Sequence, residues 1–297
     1  MSKYHVSNIK KYHVNDNRQE YPYVFILDID GTMIGDISPQ IMLYELCLGL
    51  RDKHFKMNIK AFENKLSNGL IRPYFDIFLK KMTETFHNKC EFFIYTSAER
   101  QWTLFLIPHI ERILKIKFNR PLFTRDNCQL INGDYKKSLN SILPKISIVL
   151  QKKYGKLDKS ILKEKLLIID NNSSVYEEVD QKHLISCPTY DYKIPENIPL
   201  YISNSIFNLY QQQIIKILSR NIPQIVIANN YNKFQIEFYK FYVIFLQTIQ
   251  KNNDLFIKDN YFNYLSNVIT YKGITKFTYK TVLYLQLKMG KRFRNII

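Results

Sequence analysis

Two carboxylates stand two residues apart near the end of an apolar segment: Asp28 and Asp30, which are followed by Gly31 and Thr32. On one face of a strand these carboxylates would repel each other, which is costly beside apolar neighbours. A divalent cation shared with a substrate phosphate would offset the repulsion, and so would a backbone turn after Asp28. Gly31 permits such a turn, and the Thr32 hydroxyl can tie the loop back. The motif is typical either of phosphate chemistry or of an acidic strand exit with Asx turns.

Three short apolar runs have the composition of buried strands, and each ends in polar residues. The runs with their polar ends are 23–29 with the Asp28 motif, 92–95 with Thr96 and Ser97, and 166–169 with Asp170 and Asn171. Continuous apolar strands separated by helical segments indicate a parallel sheet covered on both faces. Because working groups gather at the carboxyl ends of such strands, the three ends predict one site. The expected fold class is α/β, a doubly wound parallel sheet.

The segments between these runs carry helix signals. Ser38 and Pro39 predict an N-cap and an N1 proline for a helix that runs toward residue 50. A further helix is predicted to begin near Glu99 and to end or kink at Pro108. The helix predicted after residue 73 has one apolar face, which consists of Phe75, Phe78, Leu79 and Met82.

The last third of the chain differs from the rest in charge and in aromatic content. Residues 201–297 hold 13 Lys and Arg against 3 Asp and Glu. Basic, aromatic-rich segments can bind nucleic acid through phosphate contacts and base stacking. Their helical spacing, however, favours a core role for most of these aromatics, and it predicts a helical C-terminal region. The clearest stripe is Phe234, Phe238, Phe241, Phe245 and Ile249.

Composition narrows the class of protein further. The 297 residues are 46% hydrophobic and carry a net charge of +17, which excludes general disorder and favours acidic partners. The four cysteines are too far apart for a disulfide framework or a zinc finger. We find neither the apolar stretch of a signal peptide nor a membrane-spanning run. We therefore expect an intracellular chain, nuclear or cytoplasmic, that is not secreted and does not contact a membrane.

With these motifs the sequence resembles the haloacid-dehalogenase superfamily. More narrowly, it resembles the RNA polymerase II carboxy-terminal-domain phosphatase family, the NLI-interacting-factor-like phosphatases. The blocks that carry the resemblance occur in the family's order: FILDIDGT at 25–32, IRPYFDIFL at 71–79, EFFIYTSA at 91–98, TRDNC at 124–128, NGDYKKSL at 132–139 and LLIIDN at 166–171. The resemblance implies a haloacid-dehalogenase-like Rossmannoid sheet, here with a helical C-terminal extension.

The resemblance also implies catalytic roles. Asp28 would be the nucleophile that forms an aspartyl-phosphate. Asp30 would be the general acid for the leaving oxygen and then the base for water. The implied cofactor is Mg²⁺, bound by the Asp28 carboxylate, the Asp30 backbone carbonyl and Asn171, with Asp170 in its immediate surroundings.

Substrate contacts are implied by the same resemblance. Thr96 and Lys137 would hold the phosphoryl oxygens, although Lys136 is a rival one alignment step away. On the substrate side we also place Ser97, Thr32 and Arg125. Arg125 either contacts the phosphate or pairs with Asp126 or a Glu side chain.

The chain departs from the family pattern in three places. Residues 172–174 read Asn-Ser-Ser where Ser-Pro is usual. The stretch at residues 140–164 is longer than the pattern requires, which predicts an insertion on the active-site side, with another helix as one form it can take. The basic C-terminal region has no counterpart. We expect residues 1–20 to be an N-terminal arm, 21–199 the catalytic domain and 200–297 the helical C-terminal region.

Three functions follow as hypotheses. The first is a Mg²⁺-dependent protein serine/threonine phosphatase whose partner is a phosphoprotein, with the RNA polymerase II C-terminal domain as one candidate. The second is a phosphatase of nucleic-acid termini, in which residues 201–297 hold the strand. The third is a non-catalytic pseudophosphatase scaffold, whose expected mark, loss of the second aspartate, is absent because Asp30 is present.

Overall fold

A parallel sheet lies at the centre of the computed structural model, which describes residues 21–52, 55–222 and 230–293. Its strands follow the order β2-β1-β5-β6, and all pair in parallel. A separate antiparallel hairpin joins β3 to β4. The bounds are β1 Tyr23–Leu27, β2 Cys90–Ile94, β3 Gln129–Ile131, β4 Asp134–Lys136, β5 Leu166–Asp170 and β6 Leu184–Ser186.

Helices cover both faces of this sheet, which confirms the predicted doubly wound α/β fold. Alternate residues of β1 explain why its sequence is apolar throughout. Phe25 and Leu27 pack into a core on one face of the sheet, whereas Val24 and Ile26 pack into a second core on the opposite face. The helices are α1 Ser38–Leu50, α2 Ile59–Lys65, α3 Phe75–Thr85, α4 Arg100–Leu114, α5 Leu139–Tyr154, α6 Lys159–Glu164, α7 Glu178–Gln181, α8 Asn204–Asn221, α9 Tyr231–Phe256, α10 Tyr261–Tyr271 and α11 Tyr279–Phe293.

All three predicted strands are present, with small differences in length. The first ends at Leu27 rather than at Ile29, because the chain turns there. The Ile29 carbonyl accepts hydrogen bonds from the amides of Thr32, Met33 and Ile34. This turn moves Asp30 out of the line of the strand.

The predicted helices are also present, with two corrections. Ser38 is the first residue of α1 and not its N-cap, since its amide and hydroxyl bind the Asp36 carboxylate. Helix α4 does not end at Pro108 but continues to Leu114. Pro108 has no backbone N–H, so the carbonyl of Leu104 loses its helical hydrogen-bond donor. Both residues lie on the exposed face of α4, where this carbonyl can bind water instead. The predicted face of α3 is confirmed as buried.

The predicted insertion at residues 140–164 has a different place from the one expected. It consists of α5 and α6, which cover one face of the sheet instead of lying on the active-site side. Ile142, Ile146 and Leu150 of α5 are buried in the same core as β1 and β5. The extra length of this segment is therefore explained by the two helices that cover this face of the sheet.

The C-terminal region is helical, as predicted, and it shares cores with the rest of the chain. Helices α10 and α11 contribute to the core beneath the sheet, and α8 and α9 pack with α1. Within the aromatic stripe of α9, Phe234, Phe238 and Ile249 are buried, whereas Phe241 and Phe245 are half-buried. The predicted N-terminal arm, 1–20, lies outside the described residues, and the division into domains stays a prediction.

Two expectations from composition can be compared with the structure. In the parts of the chain that it describes, no helix is long and apolar enough to cross a membrane. Cys47, Cys90, Cys128 and Cys187 are all free thiols, as their spacing predicts.

His183, just before β6, makes the folding free energy depend on pH. Burial, Lys182 and Lys163 lower the pKa of His183 to about 4, and its Nδ1 atom is buried without a hydrogen-bond partner. The unfolded chain binds this proton below about pH 6.5, whereas the folded chain does not until about pH 4. The His183 contribution to stability is therefore present above pH 6.5 and is lost as the pH falls.

Between pH 7.5 and pH 5 the free energy of unfolding of the wild-type chain should fall by roughly 1–2 kcal/mol more than that of His183→Gln. Urea unfolding of both proteins at the two pH values measures this difference. His87→Gln is the matched control, because His87 is exposed. The same pH dependence in all three proteins would contradict this assignment.

Candidate active site

Lys137 lies between two carboxylates at the carboxyl ends of β1 and β5. Its Nζ atom donates hydrogen bonds of 2.6 Å to Oδ1 of Asp28 and of 2.6 Å to Oδ2 of Asp170. All three residues are buried, with no more than 5% of their surface exposed. The structure thus brings together three residues that the sequence placed in the site.

The register of the sheet places the two aspartates side by side. Leu27 of β1 pairs with Ile169 of β5, so the next residues, Asp28 and Asp170, follow at the same level. The Asp28 amide continues the ladder by donating to the Ile169 carbonyl at 3.1 Å. Their closeness is therefore a consequence of two apolar strands that end together.

The hairpin β3–β4 delivers the lysine. Immediately after β4 the Lys137 amide donates to the Val175 carbonyl at 2.6 Å, which holds its side chain toward the sheet. The side chain of Lys136 instead donates to the Ser174 carbonyl at 3.0 Å. Since successive side chains of an extended segment point to opposite sides, only Lys137 joins the cluster.

The charges in this cluster are strongly coupled. Burial and then the charge of Asp170 raise the pKa of Asp28 to about 7, although Lys137 lowers it. Burial raises the pKa of Asp30 to about 6, with Lys137 opposing and Asp36 adding to the rise. Burial disfavours a charged Lys137, but Asp28 and Asp170 outweigh it and raise the lysine pKa. Burial thus brings the pKa of Asp30 toward neutral pH, the range in which a general acid and base works best.

Two tyrosines surround the ammonium of Lys137, and sequence reasoning gave neither of them a role. The Nζ atom lies 5.6 Å from the ring centroid of Tyr95 and 5.6 Å from that of Tyr176. The Tyr95 hydroxyl also accepts a hydrogen bond from the Ser138 amide at 3.1 Å. Tyr95 thereby fixes the backbone next to Lys137. The position of Tyr95 directly after β2, at the same sheet edge as the other site residues, could have predicted its place near the site. Tyr176 lies in a loop region, and no pattern in the sequence predicted its position.

Thr32 ties the loop after β1 to the loop after β5. Its Oγ1 atom accepts a hydrogen bond of 2.9 Å from the Asn171 amide and donates one of 3.1 Å to Oδ1 of Asn171. Thr32 is fully buried. It therefore acts as the loop tie that its hydroxyl predicted, and its contact with substrate stays a prediction.

The remaining predicted residues lie at the end of β2. Thr96 is buried, and its Oγ1 atom accepts a hydrogen bond from the Ala98 amide at 3.1 Å. The Nε atom of Arg125 donates to the Ser97 carbonyl at 2.8 Å, and its Nη1 atom lies 3.3 Å from Oε1 of Glu99. Of the two expectations for Arg125, the structure contains the pairing with a Glu side chain, and the contact with phosphate stays a prediction.

An open cleft of about 290 Å³ begins at Asp30 and extends between α1 and α4. Its polar lining consists of Ser97, Glu99, Gln101 and Arg125, together with Glu45 of α1. Its other wall is mostly apolar and aromatic and consists of Ile41, Tyr44, Leu48 and Trp102. A polymer segment can therefore reach Asp30 from solvent along a surface that offers both kinds of contact.

Residues 23–201, which are more than half of the chain, match the model of the NLI interacting factor-like phosphatase family. The chain belongs to this family. The match includes every site residue from Asp28 to Asn171, and it confirms the resemblance seen in the sequence. No curated protein matches the chain.

Two solved structures are similar to this NLI interacting factor-like phosphatase. One is the structure of Fcp1, an essential RNA polymerase II CTD phosphatase, with 14% identity and a TM-score of 0.36, covering 92% of this chain and 71% of that one. The other is the fission yeast RNA polymerase II CTD phosphatase Fcp1 bound to beryllium fluoride, with 14% identity, a TM-score of 0.35 and the same coverage. The family assignment rests on the match over residues 23–201 and not on these two similarities.

The phosphatase has oxygen donors suited to the predicted Mg²⁺. They are the Asp28 carboxylate, the Asp30 carbonyl and the Asn171 amide oxygen, and Mg²⁺ prefers such ligands. Among the described residues, no three acidic, His or Cys side chains cluster as a metal site, and two of the three predicted donors are neutral oxygens. Oδ1 of Asp30 is buried without a hydrogen-bond partner, which is typical of a group that meets a ligand. The donor set fits a hard cation.

Arg72 connects the loop after β1, which contains Thr32, to the C-terminal helices. Its Nη1 atom donates to the Pro188 carbonyl at 3.0 Å and lies 3.4 Å from the Thr32 carbonyl. Its Nη2 atom forms a buried ion pair of 2.8 Å with Asp259, which lies between α9 and α10. Asp259 is outside the family match, and sequence reasoning missed it. The C-terminal region thus contributes a charge that supports the Thr32 loop.

Gly31→Ala is expected to lower kcat about tenfold or more and to raise the Mg²⁺ concentration that gives half-maximal activity. Gly31 has a φ of +72°, and a Cβ atom there would lie 2.6 Å from Nδ2 of Asn171. Asn171 must then move away from Thr32. Steady-state kinetics over a Mg²⁺ titration measures the effect.

Gly133→Ala is the matched control for this substitution. Gly133 has a φ of +86°, but nothing lies within 4 Å of its added Cβ atom. It shares the backbone strain of about 1 kcal/mol without the collision. Equal losses of activity in the two variants would contradict a role of Gly31 in placing Asn171.

Proposed function

We propose that this phosphatase is a Mg²⁺-dependent protein serine/threonine phosphatase that acts through an aspartyl-phosphate. The observation that carries the proposal is the buried cluster of Asp28, Lys137 and Asp170 at two strand ends, with Asp30 at the mouth of an open cleft. A carboxylate held in one position beside a counter-charge is suited to attack phosphorus. An open cleft favours a phosphorylated protein segment over a small metabolite.

In the first step a carboxylate oxygen of Asp28 attacks the phosphorus atom. A bond forms between that oxygen and phosphorus while the bond from phosphorus to the serine or threonine oxygen breaks. Asp30 gives its proton to the leaving oxygen, so the dephosphorylated hydroxyl departs neutral. The products of this step are the Asp28 acyl-phosphate and an ionised Asp30.

In the second step Asp30 acts as the base. It takes a proton from a water molecule as the water oxygen attacks phosphorus. The bond between phosphorus and the Asp28 oxygen breaks, which releases inorganic phosphate and restores the Asp28 carboxylate. Asp30 is then protonated again and ready for the next substrate.

Other residues support both steps. Lys137, held by Asp28 and Asp170, and Thr96 at the end of β2 would hold phosphoryl oxygens. Mg²⁺, bound by Asp28, the Asp30 carbonyl and Asn171 beside Asp170, would neutralise negative charge on the phosphoryl group. Arg125, Ser97 and Thr32 are proposed on the substrate side.

The net charge of +17 favours substrates with several phosphates, because a positive surface attracts them over a distance. A peptide from a repeated, multiply phosphorylated tail such as that of RNA polymerase II is the natural first substrate. We place the activity inside the cell, in the nucleus or cytoplasm, and in residues 21–199, with 200–297 as supporting helices.

The substrate test compares phosphate release from a phosphoserine peptide and from a 3′-phosphorylated oligonucleotide, with Mg²⁺ and with a chelator. We expect release from the peptide that depends on Mg²⁺. Release of phosphate from the oligonucleotide and not from the peptide would replace this proposal with the nucleic-acid-terminus activity. No release from either substrate, or from a generic aryl phosphate, would indicate the pseudophosphatase scaffold.

Lys137→Met is expected to lower kcat by about 10²–10³-fold, because it removes the cation that faces the phosphoryl group. It also leaves Asp28 and Asp170 without their shared counter-charge, so the free energy of unfolding falls as well. Lys136→Met is the matched control, since this side chain binds only the Ser174 carbonyl and lies near Asp134. Kinetics and urea unfolding of both variants test the choice between the two lysines, and a larger loss in Lys136→Met would reverse it.

A further inference from the structure

A strap, residues 187–193, follows β6 and connects the two loops that carry the predicted cation ligands. At its start the Cys187 amide donates to the Asp170 carbonyl at 2.9 Å, next to the loop after β5. Farther along, the Tyr190 amide donates to the Gly31 carbonyl at 2.8 Å, in the loop after β1. The strap therefore contacts both of the loops whose relative position decides the shape of the proposed Mg²⁺ site.

Thr189, in the middle of the strap, holds the side-chain amide of Asn171. The Nδ2 atom of Asn171 donates a hydrogen bond of 3.2 Å to Oγ1 of Thr189. The methyl carbon of Thr189 packs over Gly31, 3.1 Å from where a Cβ atom of that residue would lie. At its other end the same amide accepts a hydrogen bond of 3.1 Å from Thr32 at Oδ1. Two threonine hydroxyls, one from the strap and one from the loop after β1, thus hold both ends of the Asn171 amide.

The directions of these hydrogen bonds favour one orientation of the amide. The Oγ1 atom of Thr32 accepts from the backbone amide of Asn171 at 2.9 Å, so its single proton is available for Oδ1. A flipped amide would deprive this proton of its acceptor and would break the hydrogen bond that Nδ2 donates to Thr189. Only the amide oxygen can bind a hard cation. The two threonines therefore favour the amide orientation in which Oδ1 is the oxygen beside Thr32, and they keep it in place.

The last turn of α9 holds the strap from the outside. The side chain of Asn253 bonds twice to the backbone of Lys193: Oδ1 accepts from its amide at 2.9 Å, and Nδ2 donates to its carbonyl at 2.7 Å. The ring of Phe256 meets that of buried Tyr190 edge-on, with centroids 5.5 Å apart. The Tyr190 hydroxyl donates to the Gly69 carbonyl at 2.6 Å. Helix α9 therefore contacts the strap at two points, on the C-terminal side of Thr189.

We propose that Thr189 is a positioning residue of the cation site and that Asn253 of α9 keeps the strap in place for it. The inference rests on the proposed Mg²⁺-dependent function, and it gives the C-terminal helices a part in metal affinity. Thr189 acts through the orientation of Asn171 and not as a ligand. Loss of its hydroxyl leaves the amide freer to rotate, so the affinity for the metal falls but is not abolished.

Titration of the full-length chain with Mn²⁺, with the free ion measured by electron paramagnetic resonance, tests the proposal without reference to turnover. Mn²⁺ is a suitable probe because it prefers the same oxygen ligands as Mg²⁺. Thr189→Val keeps the shape of the side chain without its hydroxyl, and it should raise the Kd for Mn²⁺ about tenfold. Thr189→Ser should restore the wild-type Kd to within about twofold. Because Thr189 is exposed, both variants should fold.

Asn253→Ala should raise the same Kd about threefold or more, and Asn252→Ala, at the exposed neighbouring position, is its matched control. For Thr189→Val the matched control is Thr275→Val, since Thr275 is exposed in the loop between α10 and α11. Asn171→Ala removes the predicted ligand, so it shows the Kd that remains without this donor.

The outcomes separate this inference from the proposed function. A wild-type Kd in Thr189→Val, or no recovery in Thr189→Ser, would overturn the role of the hydroxyl and leave the proposed function standing. Equal Kd values for Asn253→Ala and Asn252→Ala would overturn the role of α9. Absence of Mn²⁺ binding by the wild-type chain, or binding that Asn171→Ala does not weaken, would overturn the metal site of the proposed function and this inference with it.

Discussion

Asp28→Asn should abolish the release of phosphate from an aryl phosphate, with kcat lowered on the order of 10⁴-fold or more. An amide nitrogen or oxygen at this position cannot form the acyl-phosphate that a carboxylate forms. The fold should survive, because burial already penalises the charged form of Asp28 and Asp170 remains to bind Lys137. Initial rates with Mg²⁺ and a thermal unfolding curve measure the two parts of this result.

Asp134→Asn is the matched control for the nucleophile. Asp134 lies in the hairpin that precedes Lys137, but it is exposed and lies near Lys136 and not near Lys137. Its variant should keep most of the wild-type rate. Wild-type turnover in Asp28→Asn, or equal losses in both variants, would refute the assignment of Asp28.

Asp259→Ala should lower the free energy of unfolding by about 3–5 kcal/mol, the cost of leaving a buried charge without its partner. Arg72 is 1% exposed, and its remaining polar contacts are two carbonyls and one thiol. Urea unfolding at neutral pH measures the loss. Since Arg72 also contacts the Thr32 carbonyl, kcat should fall at temperatures where the variant is still folded.

Asp254→Ala provides the comparison for Asp259. Asp254 is an exposed aspartate of the same helical region, five residues earlier, and its removal should change stability by no more than about 0.5 kcal/mol. A loss below about 1 kcal/mol in Asp259→Ala would show that the ion pair does not anchor the C-terminal helices. A full stability loss with an unchanged kcat would show that the anchor does not reach the Thr32 loop.

The parts of the site that the sequence predicted are those with a local pattern. An apolar run followed by polar residues is readable without a structure, and it placed Asp28 and Asp170 together correctly. The choice between Lys136 and Lys137 was open because one residue of register reverses the direction of a side chain. The hydrogen bond from the Lys137 amide to the Val175 carbonyl turns the side chain of Lys137, and not that of Lys136, toward Asp28. Which lysine contacts phosphate stays a prediction.

Other features lacked a local signal. Strand β6 and the hairpin strands have three residues each, too few to show a period. The pairing of Arg72 with Asp259 joins residues 187 positions apart, and each alone reads as a surface charge. Pro108 was expected to end or kink α4, but the helix continues past it, because tertiary packing of the apolar face outweighs the missing hydrogen bond on the exposed face. Local pattern therefore predicted the sheet and the carboxylates at its strand ends, while long-range contacts defined what supports them.

The most direct test of the account is the identity of the residue that becomes phosphorylated during turnover. The Asp30→Asn variant should form the intermediate from an aryl phosphate, whose leaving group needs no proton, but hydrolyse it slowly because the base is missing. Rapid quenching, borohydride reduction and peptide mapping by mass spectrometry then locate the acyl-phosphate. The account predicts modification of Asp28 alone. Modification of Asp170 or of another residue, or turnover with no acyl-phosphate on Asp28, would contradict it.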